Sequence, residues 1–174
     1  MNHDAYSDAY IRDILTKYRT IAMVGASPTT SRPSYFAMKY LKEKGFRVIP
    51  VNPGQEGKTI LGEKVHGSLA AIPEKVDIVD IFRSSKSALG IAREAIAIGA
   101  SVVWMQLGVR NDEAARLAED AGLQVVMNRC PKIEYGRLSG ELNWAGVNSR
   151  MLSSKRPLLG GRGVQNHVIA GKSR

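Results

Sequence analysis

Five short apolar runs recur along the chain: Ile21–Val24, Arg47–Val51, Asp77–Phe82, Ser101–Met105 and Leu123–Met127. They are rich in β-branched residues and show little polar alternation, the pattern of strands covered on both faces. A segment of helical period follows the first, third and fourth, after turn-forming residues. Strands and helices alternating at this spacing predict βαβ units and therefore a parallel sheet between two helical layers. Right-handed crossovers then leave only a few topologies. The expected fold class is α/β: a Rossmann-like three-layer αβα domain with a five-stranded, mainly parallel sheet.

The helices are read from their apolar stripes and caps. Ser7 caps a first helix carrying Ile11, Ile14, Leu15 and Tyr18 on one face. Ser34 to Lys44 is a second, with Ala37, Tyr40 and Leu41 inward and Gly45 just past its end. Ser84 or Ser85 opens a third bearing Leu89, Ala92 and Ile96, stopped by Gly99. Asn111 caps a fourth, with Asp112 and Glu113 in its first turn and Ala114, Leu117, Ala118 and Ala121 as its buried stripe. Between Gln55 and Pro73 the chain is irregular, with short extended pieces at Thr59–Leu61 and Lys64–His66 and a one-turn helix at Leu69–Ile72 capped by Ser68. Trp104 is assigned to the core, and Phe82 either packs there or stacks on a base.

Thr20 to Ser34 is the stretch with chemical content. Strand, small-residue turn (Gly25-Ala26-Ser27) and helix start (Pro33) follow in order. Ser31 or Arg32 is the cap. Free backbone N–H groups and the positive end of a helix dipole meet there, which suits a phosphate, and Arg32 adds a charged donor. A dinucleotide fingerprint would place glycines at 25, 27 and 30, where only Gly25 is glycine and Ser27 and Thr30 occupy the others. At the end of the second strand Asn52 stands where an acid would bind ribose hydroxyls, which counts against NAD. Asn52 either bonds a nucleotide or forms an Asx-turn before Pro53. Five strand-end loops share one edge, and Arg32, Arg83, Arg129 and Lys132 bring positive charge to it. Such a mouth suits a polyphosphorylated nucleotide.

The 174 residues predict one domain with extensions: a helix in 1–19, the sheet domain in 20–138, and an extension in 139–174, basic and flexible from about residue 153. No apolar run reaches membrane-spanning length and the first residues are polar; with a single cysteine, Cys130, a cytoplasmic protein is expected. The net charge is +9, yet no acid follows Glu141, and Lys155, Arg156, Arg162, Lys172 and Arg174 carry five of those charges. The excess therefore lies partly in the tail, and nucleic-acid binding is not the favoured reading.

The residues resemble the small stand-alone CoA-binding proteins with a Rossmann-like fold. The resemblance rests on Val24-Gly25-Ala26-Ser27-Pro28, Arg32-Pro33-Ser34, Val48-Ile49-Pro50-Val51-Asn52-Pro53, Leu61-Gly62-Glu63, Asp77-Ile78-Val79-Asp80-Ile81-Phe82-Arg83, Val103-Trp104-Met105-Gln106-Leu107-Gly108 and Arg129-Cys130-Pro131-Lys132-Ile133-Glu134. It runs from about Tyr18 to Leu138 and extends to the CoA-binding domains of succinyl-CoA synthetase α chains and NDP-forming acyl-CoA synthetases.

The resemblance implies CoA or an acyl-CoA lying across the strand ends. Gly25, Ala26, Ser27, Arg32 and Ser34 would hold phosphate. Asn52, Pro53, Phe82 and Arg83 would flank the adenosine, Gln106 and Gly108 would face the pantetheine, and Pro131 and Lys132 complete the set. The synthetases use a phosphorylated histidine in a second domain; this chain has His3, His66 and His167 and no room for that domain. A binding module without catalysis or metal is expected, with monomer and dimer both open. Cys130 is read as a structural thiol, the alternative being a mixed disulfide with CoA. Two further readings are an NAD(P)-dependent oxidoreductase and nucleic-acid binding through the basic tail.

Overall fold

The computed structural model describes residues 1–140. The tail beyond Gly140, including the expected packing of Glu141 to Trp144 and the basic residues from Lys155 onward, lies outside the described residues.

The five expected runs form one sheet. Strands β1 (Thr20–Val24) and β2 (Arg47–Val51) pair in parallel, Ile21 opposite Val48 and Val24 opposite Val51. A short antiparallel hairpin follows, β3 (Thr59–Ile60) with β4 (Glu63–Lys64). Then come β5 (Ile78–Ile81), β6 (Val102–Met105) and β7 (Gln124–Val126). The spatial order is β2-β1-β5-β6-β7, and every pairing in this sheet is parallel. The helices are α1 (Asp8–Lys17), α2 (Pro33–Glu43), α3 (Ser85–Ala97), α4 (Asp112–Asp120) and α5 (Pro131–Leu138).

Strand side chains alternate between two cores. Ile21 and Met23 face α1, α2 and α5, joining Ile11, Ile14, Met38, Tyr40 and Trp104. Ala22, with Val79 and Ile81, faces α3 and α4. The chain moves from β1 outward to β2, then returns past β1 to β5 and continues the other way. Right-handed crossovers in opposite directions put their helices on opposite faces, as seen for α2 against α3 and α4. The reversal lies between β1 and β5, so their carboxyl ends part and leave a crevice.

Three expectations about packing change. The buried stripe of α3 is Ala88, Ile91, Ala92 and Ala95, with Leu89 and Ile96 only partly buried at its margins. The stripe of α4 is Ala114, Ala115 and Ala118; Leu117 is half-buried and Ala121 exposed. Alanine carries little weight in a hydrophobic pattern, yet small side chains allow α3 and α4 to approach the sheet and each other closely. The third change is α5, which follows β7 directly where the apolar pattern predicts no helix. Pro131 occupies its first turn and Glu134 lies near its positive end, the two signals that mark it.

Local chemistry follows the sequence elsewhere. Ser7 Oγ accepts from Tyr10 N–H at 3.2 Å, and Asn111 Oδ1 accepts from Ala114 N–H at 2.8 Å. The cap of α2 is Arg32, which offers it no side-chain hydrogen bond. The β3–β4 hairpin is shorter than expected, and His66 just after it is tied to the end of β2 by backbone bonds, His66 N–H to Pro50 O and Asn52 N–H to His66 O. Glu63 adds a link from the hairpin to Lys42 and Arg47.

Candidate functional site

The crevice starts at Gly25. Its φ is +93°, and a Cβ there would lie 2.5 Å from Phe82 O and 2.8 Å from Arg83 Cδ. Its N–H donates to Val51 O at 2.8 Å, while Phe82 N–H donates to Val24 O at 2.8 Å. Gly25 thus joins the ends of β1, β2 and β5, and only a residue without a side chain fits.

Several expected contact residues shape the loops with their side chains. Ser34 is buried, and its Oγ accepts from Ser27 N–H at 3.2 Å; Ser27 Oγ accepts from Thr29 N–H at 3.2 Å. Asn52 forms the Asx-turn, its Oδ1 accepting from Gly54 N–H at 3.0 Å. Its Nδ2 donates across to Ala26 O at 2.8 Å, locking the first loop to the end of β2. Ala26 is buried and Pro53 exposed. Phe82 is half-buried against the core shared with α1, α2 and α5.

Charge at the mouth comes from Arg32 and Arg83. Both are exposed, and neither has a carboxylate partner among the described residues. Arg32 heads α2, whose N-terminus receives no side-chain cap among the described residues. Pro33 has no N–H, and Tyr35 and Phe36 N–H donate to Arg32 O, so Ser34 N–H is the backbone donor left at that end. Lys132 lies further round: its ammonium sits 5.7 Å from the centroid of the Tyr40 ring on α2. Pro131 is buried as the first residue of α5.

Gln106 turns inward. Its Nε2 donates to both oxygens of Asp80, at 3.0 and 3.1 Å, and only 5% of the residue is exposed. Asp80 is fully buried in the middle of β5. Burial pushes its carboxyl up to about 8, with the Gln106 amide opposing the rise only in part. Next to it is Cys130, whose thiol burial also raises; the N–H groups of Ile133 and Lys132 oppose that rise. A thiol pushed in that direction carries less thiolate, the nucleophilic form.

What Gln106 leaves open is the backbone after it. Gly108, at φ +77°, faces open space and donates its N–H to Asn128 Oδ1 at 2.8 Å. Asn128 is itself left-handed, at φ 53°. Trp104, fully buried, donates Nε1–H to Arg129 O at 2.9 Å and so fixes the loop before α5. Asp80 and Asn128 are not among the expected contact residues. A carboxylate within an apolar strand and an asparagine before a turn are the available signals. Among the described residues no group of His, Cys, Asp and Glu could hold a metal, and no helix is long and apolar enough to cross a membrane.

A parallel αβα sheet with a reversal between β1 and β5, a glycine pinned at that point and unpaired guanidiniums around it define a Rossmann-like binding domain. The sequence model of the CoA binding domain matches residues 19–136. The chain belongs to that family. It is similar to the uncharacterized protein YneT of Bacillus subtilis (strain 168), 36% identical over 129 residues covering 74% of this chain and 94% of that one. It is similar also to the solved structure of a hypothetical protein from Pyrococcus horikoshii OT3, at 44% identity and a TM-score of 0.75, over 80% of this chain and 97% of that one. A likeness of fold alone extends to the dinucleotide forming acetyl-coenzyme A synthetase 1 of Ca. Korarchaeum cryptofilum. There identity is 24% and the TM-score 0.55, over 67% of this chain and 28% of that one.

Proposed function

We propose that this protein binds CoA or an acyl-CoA across the carboxyl ends of β1, β2, β5 and β6, as a cytoplasmic module without catalysis of its own. The observation that carries the reading is the crevice at Gly25, where bare backbone and the start of α2 meet Arg32 and Arg83, two guanidiniums with no carboxylate partner among the described residues. CoA supplies three phosphate groups, and these donors match them by charge. In this reading the Gly25–Ser27 loop, with Ser34 beneath it and Arg32 above, holds phosphate. Asn52, Pro53, Phe82 and Arg83 border the adenosine, Gly108 and the backbone after Gln106 border the pantetheine, and Pro131 and Lys132 close the far side. The role of Gln106 is then to set the loop through Asp80. Against nicotinamide cofactors, both polar atoms of Asn52 are engaged within the chain, and no acid stands there for a ribose.

Calorimetric titration of the protein, stripped of ligand by unfolding and refolding, tests the reading with CoA, 3′-dephospho-CoA, NAD and NADP. Micromolar or tighter binding of CoA with NAD silent is expected. Arg32→Gln and Arg83→Gln should each weaken CoA by roughly tenfold or more, the loss of a charge-assisted hydrogen bond. Binding of NADP with no response to CoA would overturn it in favour of an oxidoreductase.

A further inference from the structure

A cavity of about 420 Å³ opens beside the strand ends, lined by the segment entering α1, the loop after β6, and α5 with the residues before it. Tyr6, Asp8 and Ile11 form one wall and precede the matched domain of residues 19–136. Leu107 and Arg129 form the other. Leu107 is 55% exposed and stands between Gln106 and Gly108, so the cavity shares a wall with the pantetheine end of the proposed CoA site.

The charges around the cavity are unevenly used. Arg137 is held by two acids, its Nη1 2.8 Å from Asp8 and its Nη2 2.8 Å from Glu134. Glu134 is pinned by that contact and nearly buried, with 9% of its side chain exposed. Its other oxygen lies 3.8 Å from Arg129 Nε, beyond hydrogen-bond reach. Arg129 otherwise donates Nη1–H to Asn128 O at 3.0 Å and rests 5.8 Å from the Tyr6 ring centroid. Its backbone is fixed by Trp104. Arg129 is therefore an oriented guanidinium, one third exposed, with N–H donors that no carboxylate of the chain takes up among the described residues.

We propose that this cavity receives the acyl portion of the bound thioester, and that Arg129 selects acyl groups ending in a carboxylate. The inference rests on the CoA reading above. The lining carries the carboxylates of Asp8 and Glu134, but Arg137 holds both, and Glu134 stays 3.8 Å from Arg129 Nε. An acyl chain that is apolar along its length and anionic at its end would lie along Leu107 and bring its carboxylate to the remaining donors of Arg129. Arginine suits the task because its planar donor fork meets both oxygens of a carboxylate.

Titrations of the full chain with CoA, butyryl-CoA and succinyl-CoA test this, because the two acyl groups have equal carbon count and differ in the terminal carboxylate. Succinyl-CoA is expected to bind roughly 10- to 100-fold tighter than butyryl-CoA, the worth of a hydrogen-bonded charge pair. Arg129→Gln should bring that ratio near one, and Arg129→Lys should keep part of it. The ratio is read within one sample, so a variant with a smaller folded fraction changes both ligands alike. A wild-type ratio near one, or a ratio that survives Arg129→Gln, overturns the inference. CoA binding alongside a ratio of one sinks the acyl proposal alone; silence of all three ligands sinks the CoA reading with it.

Discussion

Replacing Asp80 by asparagine should make the protein more stable at neutral and alkaline pH, by an amount that grows with pH. The carboxyl is fully buried and, among the described residues, has only Gln106 as a hydrogen-bond partner, so folding favours its protonated form. Its pKa rises from the ordinary 3.8 to about 8. The folded state then binds the proton more tightly than the unfolded state, and stability falls as pH rises between those two values. The slope approaches about 1.4 kcal/mol per pH unit. At pH 7 the accumulated cost is about 4 kcal/mol, a large share of the roughly 5–15 kcal/mol that typically holds a domain together. The asparagine side chain keeps the shape and an acceptor for Gln106 but carries no titrating group, so its cost does not vary with pH. Urea unfolding of wild type and Asp80→Asn from pH 4 to 9 measures the difference. It should be small at pH 4, rise through the interval and level off above pH 8. A difference that stays constant from pH 5 to 8, or that favours the wild type more as pH rises, would refute the reasoning.

Gly25→Ala should cost about 3 kcal/mol or more, because it combines a positive φ with a Cβ 2.5 Å from the Phe82 carbonyl oxygen; thermal unfolding and CoA titration should both register it. Asn111→Ala removes the cap of α4 and also the bond from Asn111 Nδ2 to Ser85 O at 2.9 Å. A loss of about 1–2 kcal/mol is expected, seen as a lower urea midpoint at unchanged slope.

Much of this architecture is legible in the chain because parallel sheets leave a strong mark. Runs such as Val48–Val51 and Val102–Met105 are apolar throughout because helices cover both faces. The helix start at Pro33 and the caps at Ser7 and Asn111 are local signals, set by chemistry within one turn. The buried faces of α3 and α4 differ from the expected ones because alanines line them, and an alanine in sequence does not say which side it faces. The helix α5 escapes a reading by pattern because its buried residues, Pro131, Glu134 and Gly136, make no apolar stripe.

The candidate site divides in the same way. Gly25, Asn52, Arg83 and Gln106 can be placed at strand ends from sequence, since strand length and turn residues fix where a strand stops. Where each side chain points is a matter of tertiary packing. Asn52 and Ser34 turn into the loops, Gln106 turns down to Asp80, and Lys132 leans over Tyr40. A parallel αβα domain with an anion-ready turn after its first strand is written into the chain, because backbone preference and hydrophobic period act over a few residues. Which cations lack a carboxylate among the described residues, that Asp80 there meets an amide and no counter-charge, and that Arg129 faces a cavity emerge only in three dimensions. Burial and partnership depend on distances between residues far apart in the chain, and only folding sets those distances.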